Sequence, residues 1–265
     1  MKNSKRRYFQ QWVAKQPAPG WKQLPLTHIS KCVTAQDILV ENKIEPQKCK
    51  VFDELLVYLF YGRAAYRVAG DGAIKLEAAC PVCFVFNSDL LAQAVKIYPF
   101  DTGAFDARMY KPFLPDEMAI DDFSISDDVE LANQLIQKVF GKLESYISGD
   151  ASKIGPPDTL CEPGDLHARS YLELASSKGR NEPDDRVCSI EALFDKPIEL
   201  DKHLHAVIVP HTLWNDATKT AWLSGIEKFG AEILTYEFIP GRLPEYYQSQ
   251  IEAELKSFFR SRSII

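Results

Sequence analysis

The chain of 265 residues carries 31 Lys+Arg against 37 Asp+Glu, a formal charge of −6, and 46% of its residues are hydrophobic. A chain this long buries about 70–75% of the surface its unfolded form exposes, which excludes long disorder, collagen-like repetition, a pure coiled coil and a uniformly basic nucleic-acid coat. No run of 18 apolar residues offers a membrane span, and six scattered cysteines behind no export signal point to reduced thiols in a cytoplasmic protein.

Charge is uneven along the chain. Residues 1–31 contain Lys2, Lys5, Arg6, Arg7, Lys15, Lys22 and Lys31 and no acid, a local +7 that leaves −13 on the rest. Residues 1–22 read as a basic arm or a solvated helix with a Pro/Gly linker behind it at 16–20. Lys2, Lys5, Arg6 and Arg7 would supply phosphate contacts if the partner is a nucleic acid. Residues 23–265 show no internal repeat and read as one domain.

Leu24 and Leu26 flank a short extended segment leading into His28. Thr34 and Asp37 then have the spacing of a capping box, which predicts a helix through Ile38 and Leu39 that stops near Lys43. A second short helix is expected before the apolar, aromatic run 56–60, which reads as a buried strand ending at Tyr61-Gly62-Arg63. Residues 82–86 predict another buried strand, followed by a helical stretch over 90–95. The seven acids Asp116, Glu117, Asp121, Asp122, Asp127, Asp128 and Glu130 suit a helix N-terminus, and their spacing is not that of an EF-hand. Val129, Ala132, Leu135, Ile136, Val139, Leu143 and Ile147 recur at helical spacing and predict one helix ending before Gly149. A helix over 166–175, a charged loop over 178–186, an apolar stretch over 187–194, strands over 206–209 and 233–238, and a helix over 251–259 complete the pattern. Strands and helices do not alternate regularly, so a single mixed α/β or α+β domain is expected.

Cys80-Pro81-Val82-Cys83 supplies only half a tetrahedral metal site, and buried packing is the favoured role for these thiols. No GxSxG, HExxH or P-loop motif is present. Glu77, Asp89 and Glu191 could serve a divalent-metal nuclease only if folding gathers them. A different set stands out: His28, Tyr61-Gly62-Arg63 and Glu191 are polar groups at predicted strand edges beside apolar runs, placed to satisfy neighbouring backbone or to face a cleft.

The order of Leu26-Thr27-His28-Ile29, Phe60-Tyr61-Gly62-Arg63 and Ser189-Ile190-Glu191-Ala192 resembles the ADP-ribosyltransferase superfamily, nearest in pattern to its DNA-modifying toxin branch. The segments 81–91 and 98–105, the latter with an Asp101-Thr102-Gly103 turn, are similar in character to that branch. Tyr61-Gly62-Arg63 departs from the branch's full arginine-bearing signature. The resemblance implies an α+β domain with a split mixed or antiparallel sheet flanked by helices. It also implies NAD as the substrate and no metal, with ADP-ribose passing to a macromolecular acceptor such as nucleic acid. Glu191 would be catalytic. His28 would hold the adenosine-side ribose or its phosphate, Arg63 the pyrophosphate, and Tyr61 or Tyr66 would lie beside nicotinamide. The competing expectations are a non-enzymatic binding protein, such as an antitoxin or defence-associated component, and the nuclease.

Overall fold

The computed structural model describes residues 6–65, 72–177, 185–215 and 217–265. The N-terminal segment is an integral part of the packing. Helix α1 (Tyr8–Ala14) buries Phe9, Trp12 and Val13, an i, i+3, i+4 stripe set against helices described below. The basic residues ahead of it turn onto the acid run. Arg7 Nη1 lies 2.6 Å from Asp127 Oδ2, the Arg6 backbone N–H donates to Asp122 Oδ1 at 3.2 Å, and the Arg6 guanidinium donates to the Glu117 carbonyl at 3.1 Å. The stretch thus holds a helix with one face packed and the other exposed. Lys2 and Lys5 lie outside the described residues.

Strand β1 (Leu26–Lys31) runs through His28 and passes directly into α2 (Cys32–Glu41). Lys31 stands at the N-cap and its side chain does not cap the helix, so the expected box at Thr34 does not form and Thr34 lies inside the first turn. Asn42 ends the helix at φ 59°, a left-handed position that asparagine tolerates. The short helix expected next is absent. In its place β2 (Lys43–Ile44) and β3 (Gln47–Lys48) bracket Pro46, which cannot continue a helix, and lead into β4 (Leu55–Tyr61). Then come β5 (Pro81–Phe86), β6 (Lys96–Tyr98) and α3 (Thr102–Asp106).

The long helix expected up to Gly149 is two helices, α4 (Glu130–Phe140) and α5 (Leu143–Ile147), because Gly141 takes φ 73° between them. Helices α6 (Pro157–Leu160) and α7 (Leu166–Ser176) follow, and the charged loop over 178–184 lies outside the described residues. The last elements are β7 (Glu191–Phe194), β8 (Ile198–Glu199), α8 (Leu200–His203), β9 (Leu204–Pro210), α9 (Ala221–Ser224), β10 (Glu232–Tyr236) and α10 (Pro244–Ser261).

The main sheet runs β10-β9-β5-β1-β4-β7-β6, with β3 added on β4, and β2 pairs with β8 apart from it. Every pairing is antiparallel except β9 with β10. The result is an α+β domain with an open, mixed sheet flanked by helices. The middle of the sheet is uneven. β1 pairs with β5 at six positions, from Leu26↔Phe86 to Lys31↔Pro81, but with β4 only at Leu26↔Tyr61 and Thr27↔Phe60.

Cys80 and Cys83 are free and fully buried, and burial pushes the Cys80 thiol up to about 11. Thiols so far from ionising are poor nucleophiles. Among the described residues no helix is long and apolar enough to cross a membrane.

The two functions of the N-terminal segment separate by mutation. Phe9→Ala should cost about 3–5 kcal/mol in chemical denaturation because Phe9 is fully buried. Arg7→Ala should cost less than about 1 kcal/mol, since both members of its ion pair are largely exposed.

Candidate active site

Cross-strand pairing sets Thr27 on β1 opposite Phe60 on β4, Phe60 opposite Glu191 on β7, and Glu191 opposite Tyr98 on β6. Paired residues share a sheet face, so one row joins four segments that are remote in sequence. His28 follows Thr27 directly. Two strand spacings therefore put the His28 and Glu191 main chains about 10 Å apart.

His28 alternates away from the Thr27 face, but its ring turns into the gap where the β1–β4 ladder stops. Nδ1 lies 3.0 Å from the Tyr58 carbonyl. Burial holds the imidazole below its usual value, with the bond to Tyr58 working the other way, so the ring is neutral at pH 7. A carbonyl only accepts, so Nδ1 carries the proton and Nε2 presents a lone pair. His28 is thus set as a hydrogen-bond acceptor, the correct polarity for a sugar hydroxyl.

Arg63 leaves the end of β4 by a turn that needs glycine. Gly62 has φ 66°, its N–H donates to the Pro25 carbonyl at 2.8 Å, and a Cβ there would run into the Leu24 side chain. The Thr27 hydroxyl donates to the Arg63 carbonyl. The guanidinium is buried, its carbon 5.8 Å from the centre of the Tyr146 ring. Tyr146 in turn donates to the Tyr61 carbonyl at 2.6 Å and accepts from the Ile190 N–H at 3.1 Å. One tyrosine therefore supports the arginine and fixes the residue that precedes Glu191.

Tyr61 has another role than the one expected. It is fully buried, and its hydroxyl accepts from Leu24 N–H at 2.9 Å. That hydroxyl donates to one of two adjacent amide oxygens, Gln23 Oε1 at 2.5 Å or Asn133 Oδ1 at 2.8 Å. Burial pushes the phenol pKa well up. This ring ties β4 to α4 and is used up in packing. Tyr66 lies outside the described residues.

Glu191 is 2% exposed, and its Oε2 accepts from the Thr102 N–H at 3.0 Å. Asp101, also buried, caps α3 by accepting from the Ala104 N–H at 2.7 Å, which fixes the Thr102 N–H that meets Glu191. The half-buried Tyr58 sits near both carboxylates. Its phenol is pushed up first by burial, then by a bond to Cys49 and by the charges of Glu191 and Asp101. Thr27, Tyr58, Asp101, Thr102 and Tyr146 were not identifiable as site residues from sequence, apart from the Asp101-Thr102-Gly103 turn. They act through single atoms, and no spacing rule marks such contacts.

The acids considered for a nuclease do not assemble. Glu77 opens a 3-10 turn over 77–79, Asp89 lies in another over 88–93, and no group of three or more metal-ligating side chains occurs among the described residues. No protein-family model matches this sequence, and neither the curated proteins nor the solved structures give a match.

Two measurements probe this geometry. Gly62→Ala should lower stability by about 2–4 kcal/mol, combining a left-handed alanine with displacement of Leu24. Burial also lowers His203 and His205, so all three rings are neutral when folded while the unfolded chain takes up protons as pH falls below about 6.5. Melting temperature should therefore be insensitive to these rings above about pH 6.5 and fall with acidification below it. His28→Asn, which keeps an N–H toward Tyr58 but does not titrate, should reduce that fall.

Proposed function

We propose that this chain transfers ADP-ribose from NAD to a macromolecular acceptor, with nucleic acid as the first acceptor to test. The observation that carries the reading is the pairing of a neutral His28, polarised to accept, with the buried carboxylate of Glu191 one strand beyond β4. Both lie beside the turn that carries Arg63. Acceptors on the two strands flanking β4, with a guanidinium on the turn that ends β4, would suit a ligand with two sugars joined by a pyrophosphate. The resemblance of sequence order supplies the identity of that ligand.

In this reading His28 Nε2 accepts from a hydroxyl of the adenosine ribose, and Arg63 donates to pyrophosphate oxygens. Glu191 accepts from a hydroxyl of the nicotinamide ribose and stabilises positive charge at its anomeric carbon. The bond from that carbon to nicotinamide breaks with its electron pair going to the ring nitrogen. The acceptor atom then bonds to the carbon and gives up its proton. Thr102 N–H keeps one carboxylate oxygen, Oε2, fixed in direction. A carboxylate held in a water-poor setting is most effective there, and the step requires no metal.

The same reading assigns nucleic-acid contact to the basic N-terminal segment. Arg6 and Arg7 already have carboxylate or carbonyl partners, so phosphate would have to displace Asp122 and Asp127 from them. Binding through these residues would weaken steeply with salt.

Glu191→Gln is the direct test. The amide oxygen can still accept from Thr102, so folding should be preserved while NAD turnover falls by a factor on the order of 10² to 10⁴. Release of labelled nicotinamide, with and without single-stranded DNA, measures it. Turnover equal to the parent would end the catalytic role of Glu191. A folded parent protein that neither binds nor consumes NAD would favour the non-enzymatic binding or antitoxin alternative, and stabilisation by magnesium or manganese without an NAD response would favour the nuclease.

A further inference from the structure

The turn carrying Arg63 is gripped at three successive residues. The Gly62 N–H is held by the Pro25 carbonyl and the Arg63 carbonyl by the Thr27 hydroxyl, both from the β1 side. The third grip comes from α10, far along the chain. Gln248 donates from Nε2 to the Ala64 carbonyl, and from the same nitrogen to Glu252 Oε1 at 3.0 Å. Both partners only accept, so the amide orientation is fixed by its bonds. The remaining oxygen, Gln248 Oε1, is buried and has no hydrogen-bond partner among the described residues. An orphan acceptor is unfavourable for the glutamine itself, so the arrangement serves the turn at the expense of the side chain. Ala64 and Ala65 are buried and carry no polar side chain, leaving this stretch dependent on such backbone bonds for its direction.

We infer that Gln248 is the positioning residue of the Arg63 site, and that α10 belongs to that site without touching the ligand. The two β1-side grips hold the beginning of the turn. The bond to Ala64 stops it from swinging about the end of β4 and so sets the direction in which the Arg63 side chain leaves the chain. This deepens the transferase reading and rests on it for the ligand, since Arg63 is there assigned to the pyrophosphate. The consequence is selective: disturbing Gln248 should weaken recognition of the ADP-ribose half of NAD and spare the nicotinamide half.

The test uses the full chain with Gln248→Leu, which fills the space without a donor, and Gln248→Glu, which turns a carboxylate toward the Ala64 carbonyl and Glu252. Thermal-shift titrations with ADP-ribose and with nicotinamide, steady-state NAD kinetics and amide exchange over residues 60–65 are compared with the parent. Both variants should raise the ADP-ribose Kd and the KM for NAD on the order of tenfold, with a smaller change in kcat. Nicotinamide affinity should hold, and exchange over 60–65 should accelerate. A folded Gln248→Leu protein with parental KM, or with parental exchange over 60–65, overturns the inference. If the leucine variant does not fold, Gln248→Met carries the same comparison. A parent protein inert to NAD and ADP-ribose defeats the transferase reading instead, and the exchange measurement still decides whether Gln248 sets the turn.

Discussion

Between β1 and β4 the hydrogen-bond ladder ends after two residue pairs, and the His28 ring takes the Tyr58 carbonyl that a further backbone donor would otherwise have met. That substitution lets the sheet part at its centre without leaving a buried carbonyl unpaired. On the other side β1 remains fully paired with β5, so the opening is local and the strand stays fixed. The bond also decides the chemistry of the ring, because a proton committed to Tyr58 leaves the opposite nitrogen as an acceptor. One contact thus maintains the sheet and sets the polarity of the candidate site.

Main-chain bonds hold several of the groups around this opening. Glu191 is met by the Thr102 N–H, Asp101 by the Ala104 N–H, and the Arg63 carbonyl by Thr27. Tyr146 binds the Tyr61 carbonyl and the Ile190 N–H at once, so β4 and the approach to β7 move together. Such bonds fix direction and distance more tightly than surface ion pairs between long side chains. Surface pairing is used elsewhere, where Arg6 and Arg7 neutralise part of the acid run and seat α1 beside it.

Much of the element pattern was legible in the sequence. The apolar runs ending at Phe60 and Phe86 became strands β4 and β5, and the stripe Ala132, Leu135, Ile136 and Val139 became helix, because periodicity reports directly which side of an element is buried. Breaks were read less well. Gly141 divides the expected long helix because a left-handed residue between two apolar stripes leaves their spacing intact. Thr34 had the right neighbours for a cap, yet β1 ran into the helix two residues earlier. The basic start looked solvated because its charges are conspicuous, while the stripe Phe9, Trp12, Val13 is short and its acidic partners lie more than a hundred residues away.

The sequence alone determined a single domain mixing strands and helices without regular alternation, the polar residues at the strand ends and the place for glycine before Arg63. Each of these follows from local chemistry: side-chain period, hydrogen-bonding capacity and backbone freedom. Tertiary structure alone decided which polar groups face one another. Only pairing register could set Glu191 opposite Phe60 and next but one to β1 and consign Tyr61 to the core, and only the packing of α10 could bring Gln248 to Ala64. The physical reason is that a strand exposes alternate residues to opposite faces, so a shift of one position in register, invisible in composition or spacing, exchanges a site residue for a core residue.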